Sequence, residues 1–194
     1  MGNLANKNKM RIVKRSGRLH GKDVRWIKSP NYDQRPVKDD ISLLVIHNIS
    51  LPPGEFGGCH VDQLFQNTLD PEYHPYFKEI CHLKVSSHVL IDREGAVVQY
   101  VPFHKRAWHA GESEFEGRSA CNDFSIGIEL EGSDDQPFTS IQYQKLAELI
   151  EVLLRSYTNL SSGNIVGHSD IAPGRKTDPG PHFDWLRLKS DLNR

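Results

Sequence analysis

The stretch SLLVIHN (residues 42–48) is a short run of β-forming residues with apolar side chains at consecutive positions. Such a run is typical of a central strand whose two faces are both covered by other parts of the protein. His47 stands near the end of the run. Because strand ends in layered α/β sheets open onto the edge where ligands bind, this stretch predicts the centre of the fold and makes His47 a candidate site residue.

Further strands are predicted on the C-terminal side of this run. Residues 85–91 and 96–101 are β-forming segments joined by a tight turn at residues 92–95, which predicts a hairpin. Residues 124–131 alternate between large apolar residues and small or acidic ones, and residues 164–168 predict a last short strand. The small or acidic face of the segment 124–131 consists of Ser125, Gly127, Glu129 and Glu131.

Apolar residues at helical spacing predict the helices. Residues 140–157 form the longest such pattern, and Thr139 and Gln142 stand where they would form a capping box. Shorter patterns predict helices at residues 60–69 and 183–192. Strands and helices interleaved in this way indicate a layered α/β domain whose loops at one sheet edge carry the chemistry.

Length and composition predict one domain. The chain has 194 residues, of which 37% are hydrophobic, enough for a single core. Residues 1–22 are rich in Lys, Arg, Asn and Gly without apolar periodicity, so we predict a flexible N-terminal extension or a loosely docked arm there and the domain over residues 23–194. The N-terminal residues lack the apolar segment of a secretory signal, which predicts a cytoplasmic protein.

Charge and cysteine content exclude several classes of protein. The 24 Lys and Arg residues nearly cancel the 25 Asp and Glu residues, so no strong field draws the chain to nucleic acid or to an anionic membrane. We expect neither partner, and we expect a monomer. The three cysteines lie far apart without a CxxC pair, which predicts that they are reduced and that most of them are packing residues. Ten histidines in a chain of this length point to metal or proton chemistry.

The stretch GHSDIAPGRKTDPGP (residues 167–181) is the most unusual local sequence in the chain. Its prolines and glycines stiffen the segment and permit tight turns around His168, Lys176 and Asp178. A rigid loop that crowds ionisable groups is costly unless those groups hold something in place. The alternative is a surface loop with a solvated Arg-Lys pair, and this segment alone does not decide between the two.

Together with His47, this loop offers a set of zinc ligands. His47, His168 and Asp178 would supply two imidazoles and one carboxylate and leave the fourth position to water, which is the arrangement that a hydrolytic site requires. The HExxH motif of thermolysin-type proteases is absent from the sequence. In the alternative interpretation, His47 is a hydrogen-bonded core residue, as lone histidines on buried strands usually are.

Two further side chains are candidates for catalysis. Glu129 can accept the proton of an attacking water and pass it to the leaving amine if it faces the metal. Lys176 lies two residues from Asp178 and can stabilise the oxyanion on the attacked carbonyl. In the alternative, Glu129 is an ordinary solvent-facing carboxylate like Glu131. Lys176 would then pair with Asp178 or Asp184, which contributes little at an exposed position.

The stretch KRAWHAG (residues 105–111) combines an aromatic side chain with cations and small residues. Trp108 can stack on a sugar face while His109 borders the reaction centre, so both are candidate substrate-binding residues. The alternative is an interior tryptophan with neighbouring surface charges.

These segments resemble the N-acetylmuramoyl-L-alanine amidase family, which includes the peptidoglycan-recognition proteins. The matching stretches are LLVIHNISLPPGEFGG (43–58), HPYF (74–77), QYVPFHKRAWHAG (99–111), CNDFSIGIELEG (121–132) and GHSDIAPGRKTDPGP (167–181). They span roughly residues 26–188, nearly the whole of the predicted domain.

The resemblance implies a central mixed β-sheet flanked by α-helices, with zinc held at the positions of His47, His168 and Asp178. It implies catalytic roles for Glu129 and Lys176. It also implies hydrolysis of the amide bond between N-acetylmuramic acid, or its 1,6-anhydro form, and L-alanine in muropeptides, during peptidoglycan recycling in the cytoplasm.

Other positions of the family pattern concern proton transfer and the substrate. Asn48 matches a position that looks placed to contact the sugar-peptide junction, which makes it a candidate substrate-binding residue. In many relatives a tyrosine precedes the histidine that matches His88, whereas this chain has Ser87. This difference favours Glu129 as the group that transfers the proton.

Two positions depart from the family pattern. Lys84 and Ala120 stand where similar family members tend to have arginine, a residue suited to bidentate contacts with a carboxylate. Lys84 keeps the charge and is a candidate substrate-binding residue. Ala120 does not, and Arg118 would have to compensate from two residues away.

Two other activities stay open from the sequence. Relatives on this fold include modules that bind peptidoglycan without cleaving it, although such proteins tend to lose one metal ligand and all three candidates are present here. A zinc deacetylase acting on sugar N-acetyl groups would use similar metal chemistry and release acetate.

Overall fold

The apolar run at residues 42–48 forms an interior strand of a mixed β-sheet. The computed structural model describes residues 9–193 of the chain. In that part of the chain the strands are β1 (Arg11–Val13), β2 (Arg18–His20), β3 (Val24–Trp26), β4 (Tyr32–Gln34), β5 (Leu43–Ile49), β6 (Val89–Ile91), β7 (Val97–Gln99), β8 (Lys105–Ala107), β9 (Glu114–Phe115), β10 (Arg118–Ser119), β11 (Ser125–Glu131) and β12 (Ile165–Gly167). The helices are α1 (His60–Gln66), α2 (Pro75–Ile80), α3 (Ser140–Ser156), α4 (His168–Ile171) and α5 (Trp185–Leu192).

The central sheet has the strand order β12, β5, β11, β6, β7, β3. The strands β12, β5, β11 and β6 run parallel, β7 is antiparallel to β6, and β3 pairs in parallel with β7. This confirms the predicted α/β fold with a mixed central sheet and flanking helices. The interior position of β5 explains its sequence, because its first four residues are fully buried and both faces of the strand need apolar side chains.

The two faces of the sheet have different neighbours. One face packs under α3 and α5 and receives Leu44 and Ile46 of β5. The opposite face carries Leu43 and Val45, and α1 and α2 cover another part of it. Because side chains alternate along a strand, His47 lies with Leu43 and Val45 on the face away from α3. The candidate site is therefore built on this second face.

Capping side chains set the ends of the two longest helices. The hydroxyl of Thr139 accepts a hydrogen bond from the Gln142 amide, and the Gln142 side chain accepts one from the Thr139 amide, so the predicted capping box of α3 is confirmed. α5 begins at Trp185, two residues later than predicted, because the Asp184 carboxylate accepts a hydrogen bond from the Arg187 amide and caps the helix.

The hairpin predicted over residues 85–101 is confirmed, with shorter strands. The strands β6 and β7 pair antiparallel, and the Asp92 carboxylate holds the turn by accepting hydrogen bonds from the amides of Glu94 and Ala96. Gly95 has a φ of 84°, a backbone conformation that residues other than glycine rarely adopt.

The sequence pattern did not predict α2. This helix of 6 residues is too short to show an apolar period. Its start is nevertheless marked in the sequence, because Pro75 occupies the first turn and the His74 ring accepts a hydrogen bond from the Tyr76 amide at 3.2 Å.

Part of the N-terminal region, predicted over residues 1–22 as a flexible extension or a loosely docked arm, is docked on the domain. Within it, β1 and β2 form a hairpin, and Met10 and Leu19 are buried in the core beside α3. The Met10 amide donates to Glu148 of α3 at 3.1 Å. Isolated apolar residues give no periodic signal, which is why the pattern does not reveal this docking. Residues 1–8 lie outside the described part of the chain, and the domain boundaries at 23–194 stay a prediction.

The three cysteines form no disulfide within the described residues. Cys59, Cys81 and Cys121 are free thiols, as predicted: Cys121 is buried, Cys81 is partly buried and Cys59 is exposed. Among residues 9–193, no helix has both the length and the apolar character needed to cross a membrane.

Candidate metal centre and active site

Three of the predicted site residues meet at the end of β5. Nδ1 of His47 lies 3.0 Å from Nδ1 of His168 and 3.0 Å from Oδ2 of Asp178. Nδ1 of His168 lies 3.1 Å from the same carboxylate oxygen. The two histidines are buried and Asp178 is partly buried. These three side chains, called the metal-binding group below, are arranged so that they could hold a metal ion.

Sheet register brings together residues that are far apart in sequence. The strands β5 and β12 pair in parallel, and their register places His168, the residue after β12, beside His47. The register of β5 and β11 places Glu129 directly opposite His47. Asp178 lies on the proline-rich loop within residues 167–181, and its carbonyl oxygen accepts a hydrogen bond from the Ser169 amide at 2.9 Å.

The hydrogen bonds around His168 fit a metal ligand set. Nε2 of His168 lies 3.1 Å from the carbonyl oxygen of Ala110, which can only accept, so this nitrogen carries a proton. A neutral His168 therefore turns the lone pair of Nδ1 toward the Asp178 carboxylate, and two acceptors 3.1 Å apart attract a cation between them. Ligands of a tetrahedral zinc ion at about 2.0–2.1 Å lie about 3.3 Å from one another, close to the observed separations.

Burial and hydrogen bonding set the charge states of these groups. Burial lowers the pKa of His47 to about 4, despite the opposing hydrogen bond to Asp178, so His47 is neutral at pH 7. Burial alone would raise the pKa of Asp178, but the His168 and His47 rings in contact with its carboxylate outweigh burial and hold this pKa below its usual value. A neutral imidazole and an ionised carboxylate are the forms that bind a metal ion.

Glu129 lies beside the metal-binding group and is 7% exposed. Its Oε2 atom is buried and has no hydrogen-bond partner within residues 9–193. Burial, together with the negative charge of Asp178, raises the pKa of Glu129 well above its usual value, and the positive charge of Lys176 opposes this shift. The alternative of a solvent-facing carboxylate is therefore wrong. A buried carboxyl group with a raised pKa suits a residue that takes up and releases a proton.

Glu131 lies on the same face of β11 and is equally buried, at 7% exposed. Its two carboxylate oxygens accept hydrogen bonds from the amide of Gly57 at 2.5 Å and the amide of Arg93 at 3.1 Å. Both oxygens of Glu131 are thus engaged in holding loops together, whereas Glu129 keeps one oxygen available.

Lys176 is exposed on the proline-rich loop and lines the cleft above the metal-binding group. The carboxylates considered as its partners have other roles, since Asp178 contacts the two histidines and Asp184 caps α5. The charge of Lys176 acts on both Glu129 and His47. An ammonium group in this place can meet negative charge that develops on a bound substrate.

The cleft above the metal-binding group has a volume of about 610 Å³. Its lining includes polar side chains, among them Asn48, Asp134, Glu129 and Lys176. The large apolar side chains of the lining are those of Ile49, Leu51, Pro53, Leu64, Phe65, Tyr76, Ile80, Leu83, Val85 and Trp108. A cleft of this size, lined by both apolar and polar side chains, is large enough for a small ligand.

The candidate substrate-binding residues occupy different places. Trp108 lines the cleft and is partly buried, so its ring is available to a ligand. Nδ2 of Asn48 donates to the Asp134 carboxylate at 2.7 Å and to the Pro179 carbonyl at 3.1 Å, which ties two cleft-lining segments together. His109 also lines the cleft, although its ring nitrogens contact other protein groups.

The positions that depart from the family pattern lie away from the metal-binding group. Lys84 is exposed and lies outside the set of residues that line the cleft in the described structure. The guanidinium group of Arg118, the candidate substitute for an arginine at position 120, donates to Asp40 at 2.6 Å and lies over the Phe124 ring. Its role in place of Ala120 stays a prediction.

Comparisons with known proteins identify the family. Residues 37–181 match the family model described as N-acetylmuramoyl-L-alanine amidase. The chain belongs to this amidase family. It is 58% identical over 170 residues to the 1,6-anhydro-N-acetylmuramyl-L-alanine amidase AmpD of Haemophilus influenzae, which covers 88% of this chain and 92% of that protein. The resemblance found in the sequence is confirmed.

Solved structures of amidases share the fold. A crystal structure of a selenomethionine AmpD derivative superposes with a TM-score of 0.86 and 56% identity, covering 91% of this chain and 97% of that chain. AmiD from Escherichia coli, in complex with the substrate anhydro-N-acetylmuramic acid-L-Ala-D-gamma-Glu-L-Lys, superposes with a TM-score of 0.58 and 32% identity, covering 82% and 60%.

The sequence patterns of this amidase missed much of the apolar lining of the cleft. Tyr76 and Ile80 reach the cleft from α2, which the periodicity did not reveal, and Leu83 and Val85 follow from the segment after it. Asp134, the partner of Asn48, was also missed. The His-Pro pair at the start of α2 was the sequence signal that could have indicated this helix, and with it Tyr76 and Ile80.

The buried histidines of the amidase predict a loss of stability in mild acid. Burial lowers the pKa of His47 to about 4 and the pKa values of His88 and His109 well below the usual 6.5. Between pH 6.5 and about 4, the unfolded chain therefore takes up protons that the folded chain does not. The free energy of unfolding falls as the pH falls, by up to about 1.4 kcal/mol per histidine and pH unit.

Glu129 acts in the opposite direction, because its raised pKa lets the folded chain bind a proton before the unfolded chain does. Asp178, whose pKa is lowered, loses its contribution only at lower pH. The three histidines lower the free energy of unfolding as the pH falls, and the one carboxyl group raises it. The free energy of unfolding is therefore expected to fall by about 1–3 kcal/mol between pH 6.5 and 5.5. Urea unfolding of the metal-free protein measures it, and a flat or rising profile over this interval would contradict neutral, buried histidines.

Proposed function

We propose that this protein is a zinc-dependent amidase that hydrolyses the bond between 1,6-anhydro-N-acetylmuramic acid and L-alanine in muropeptides. The observation that carries the proposal is the metal-binding group of His47, His168 and Asp178 beneath a cleft that Glu129 and Lys176 also line. The substrate class is supported by the name of the Haemophilus influenzae relative and by the muropeptide bound to AmiD from Escherichia coli.

His47, His168 and Asp178 would hold the zinc ion. Two imidazole nitrogens and one carboxylate oxygen form a ligand set that occurs in hydrolytic zinc sites, where a further position stays open. When bound, zinc polarises the attacked carbonyl group and makes water a stronger nucleophile at neutral pH.

Glu129 moves the proton in the proposed reaction. Its carboxylate lines the cleft and accepts a proton from the attacking water while the water oxygen bonds to the lactyl carbonyl carbon. The bond between this carbon and the L-alanine nitrogen then breaks, and Glu129 returns the proton to the leaving amine. The products are a free carboxyl group on the sugar and a peptide with a free amino terminus.

Lys176 and the cleft lining complete the proposal. The ammonium group of Lys176 stabilises negative charge on the carbonyl oxygen during attack. Trp108 offers an aromatic face to the sugar. Asn48 holds together the two segments that carry Asp134 and Pro179, and it thereby shapes the part of the cleft that receives the sugar-peptide junction. Cytoplasmic peptidoglycan recycling, with a monomeric enzyme, stays a prediction.

The test uses synthetic anhydro-N-acetylmuramic acid-L-Ala-D-γ-Glu-L-Lys and the full chain. The zinc-loaded protein is expected to release the free tripeptide, detected by mass spectrometry. Removal of the metal with a chelator is expected to stop the release, and added zinc to restore it. No peptide release from the zinc-loaded protein would refute the proposal.

The same assay separates the alternatives. Binding of the muropeptide without release of either product would indicate a peptidoglycan-binding module. Release of acetate instead of peptide would indicate a deacetylase. Ordinary N-acetylmuramic acid with the same peptide measures how strongly the anhydro sugar is preferred.

A further inference from the structure

His109 lies directly beneath a predicted zinc ligand rather than only at the edge of the cleft. Nδ1 of His109 lies 2.9 Å from Nε2 of His47. Nε2 of His109 lies 3.1 Å from the hydroxyl of Ser125, which has no exposed surface. Both ring nitrogens of His109 are therefore engaged with protein groups, so the ring has no free donor or acceptor for a substrate.

The next residue orients the second histidine of the metal-binding group. The Ala110 carbonyl accepts a hydrogen bond from Nε2 of His168 at 3.1 Å and another from Arg175 at 2.6 Å. The His109 ring thus contacts the far side of the His47 imidazole, and the Ala110 main chain contacts the far side of the His168 imidazole.

The main chain at these two residues is itself held in place. Oδ1 of Asn122 accepts hydrogen bonds from the amides of His109 at 3.0 Å and Ala110 at 2.8 Å. A single side chain therefore fixes the segment against which both histidine ligands rest.

A glycine leaves room for the His109 ring. The ring lies against Gly127 of β11, and a Cβ atom at position 127 would come within 2.5 Å of Cγ and 2.6 Å of Nδ1 of His109. Any larger residue at this position would push the ring away from His47. The small residues of this strand face, Ser125 and Gly127, are explained by the ring that they accommodate.

We propose that His109 is a positioning residue, which fixes the tautomer and orientation of His47 so that Nδ1 of His47 is presented to zinc. With Nδ1 of His47 bound to metal, Nε2 of His47 carries the proton and donates a hydrogen bond to Nδ1 of His109. Nε2 of His109 then donates to Ser125. Outer partners of this kind hold a ligand histidine in the form that binds metal. The inference rests on the proposed zinc-dependent function.

Zinc affinity, measured by competition with a chelating dye, tests the proposal without relying on activity. The His109→Leu variant is expected to bind zinc about 10–100-fold more weakly than the parent protein. His109→Asn places an amide acceptor near the position of Nδ1 and is expected to recover part of the loss. Gly127→Ala keeps the imidazole but displaces it, and it is expected to weaken zinc binding in the same direction.

A matched control and a spectroscopic measurement separate positioning from substrate contact. Trp108→Phe changes the neighbouring side chain and is expected to keep the zinc affinity while altering KM. In the cobalt-substituted protein, His109→Leu is expected to change the visible spectrum of the ion, whereas Trp108→Phe is not.

Equal zinc affinity in the parent protein and in a folded His109→Leu variant would overturn the proposal, as would a change confined to KM. If His109→Leu does not fold, Ser125→Ala decides, and unchanged zinc affinity there together with unchanged affinity in Gly127→Ala would overturn it. A parent protein that binds no zinc would instead defeat the proposed function itself.

Discussion

Replacing Glu129 by glutamine is expected to lower the turnover of the anhydro-muropeptide about 10³-fold, with about one zinc ion still bound per chain. Glutamine keeps the size of the side chain but does not take up and release a proton. The carboxyl group lies beside the metal-binding group without belonging to it, and one of its oxygens is buried with no partner in the described part of the chain. The variant should therefore lose the proton-transfer step and keep the metal.

The matched control is Glu131→Gln, the same change on the same face of β11 at equal burial. Glu131 accepts hydrogen bonds from the amides of Gly57 and Arg93, so this variant is expected to lose stability rather than chemistry. Turnover is compared at a temperature where both variants are folded, and zinc is measured by elemental analysis. A Glu129→Gln rate within about tenfold of the parent rate would remove Glu129 from the proton transfer.

Replacing Asp178 by alanine is expected to remove zinc and, with it, the amidase activity. Oδ2 of Asp178 lies 3.0 Å and 3.1 Å from the ring nitrogens of the two histidines, so it completes the metal-binding group. Zinc binding of about 10–16 kcal/mol shared over four ligands corresponds to about 3–4 kcal/mol for each. Loss of one ligand should then weaken zinc binding about 10²–10³-fold.

Zinc content and chelator competition measure this effect, and Asp184→Asn is the control. Asp184 is another aspartate near the C-terminus, but it caps α5 and lies outside the metal-binding group. Asparagine caps helices about as well as aspartate, so the Asp184→Asn variant is expected to keep nearly all of the stability and to leave zinc binding unchanged. Zinc affinity in Asp178→Ala equal to that of the parent protein would show that the ion, if bound, is held elsewhere.

The strands show how much of the site can be read from the sequence. Consecutive apolar residues predicted β5 and alternation predicted the two faces of β11, and both are observed. The pairing of His47 with Glu129 depends on the register between the two strands, which no local pattern contains. The sequence therefore identified both residues as candidates, and the register of the sheet places them side by side.

The segment at residues 105–111 shows what a local pattern leaves undecided. The sequence suggested a tryptophan that stacks on a sugar face and a histidine that borders the reaction centre. In the structure Trp108 lines the cleft, whereas the His109 ring rests on Gly127 and contacts His47. Two neighbouring residues have different surroundings because their side chains point in different directions, and only the packing of β11 below them decides which one turns inward.

By itself the sequence determined the class of fold, the family and the residues with the chemistry to bind zinc and move a proton, because those properties reside in periodicity and in side-chain type. Only the tertiary structure decided that His47, His168 and Asp178 come within about 3 Å of one another, that Glu129 is buried with an unpartnered oxygen, and that Met10 and Leu19 join the core. The physical reason is that distances and burial depend on strand register and on packing between segments distant in sequence, whereas local patterns report only on neighbouring residues.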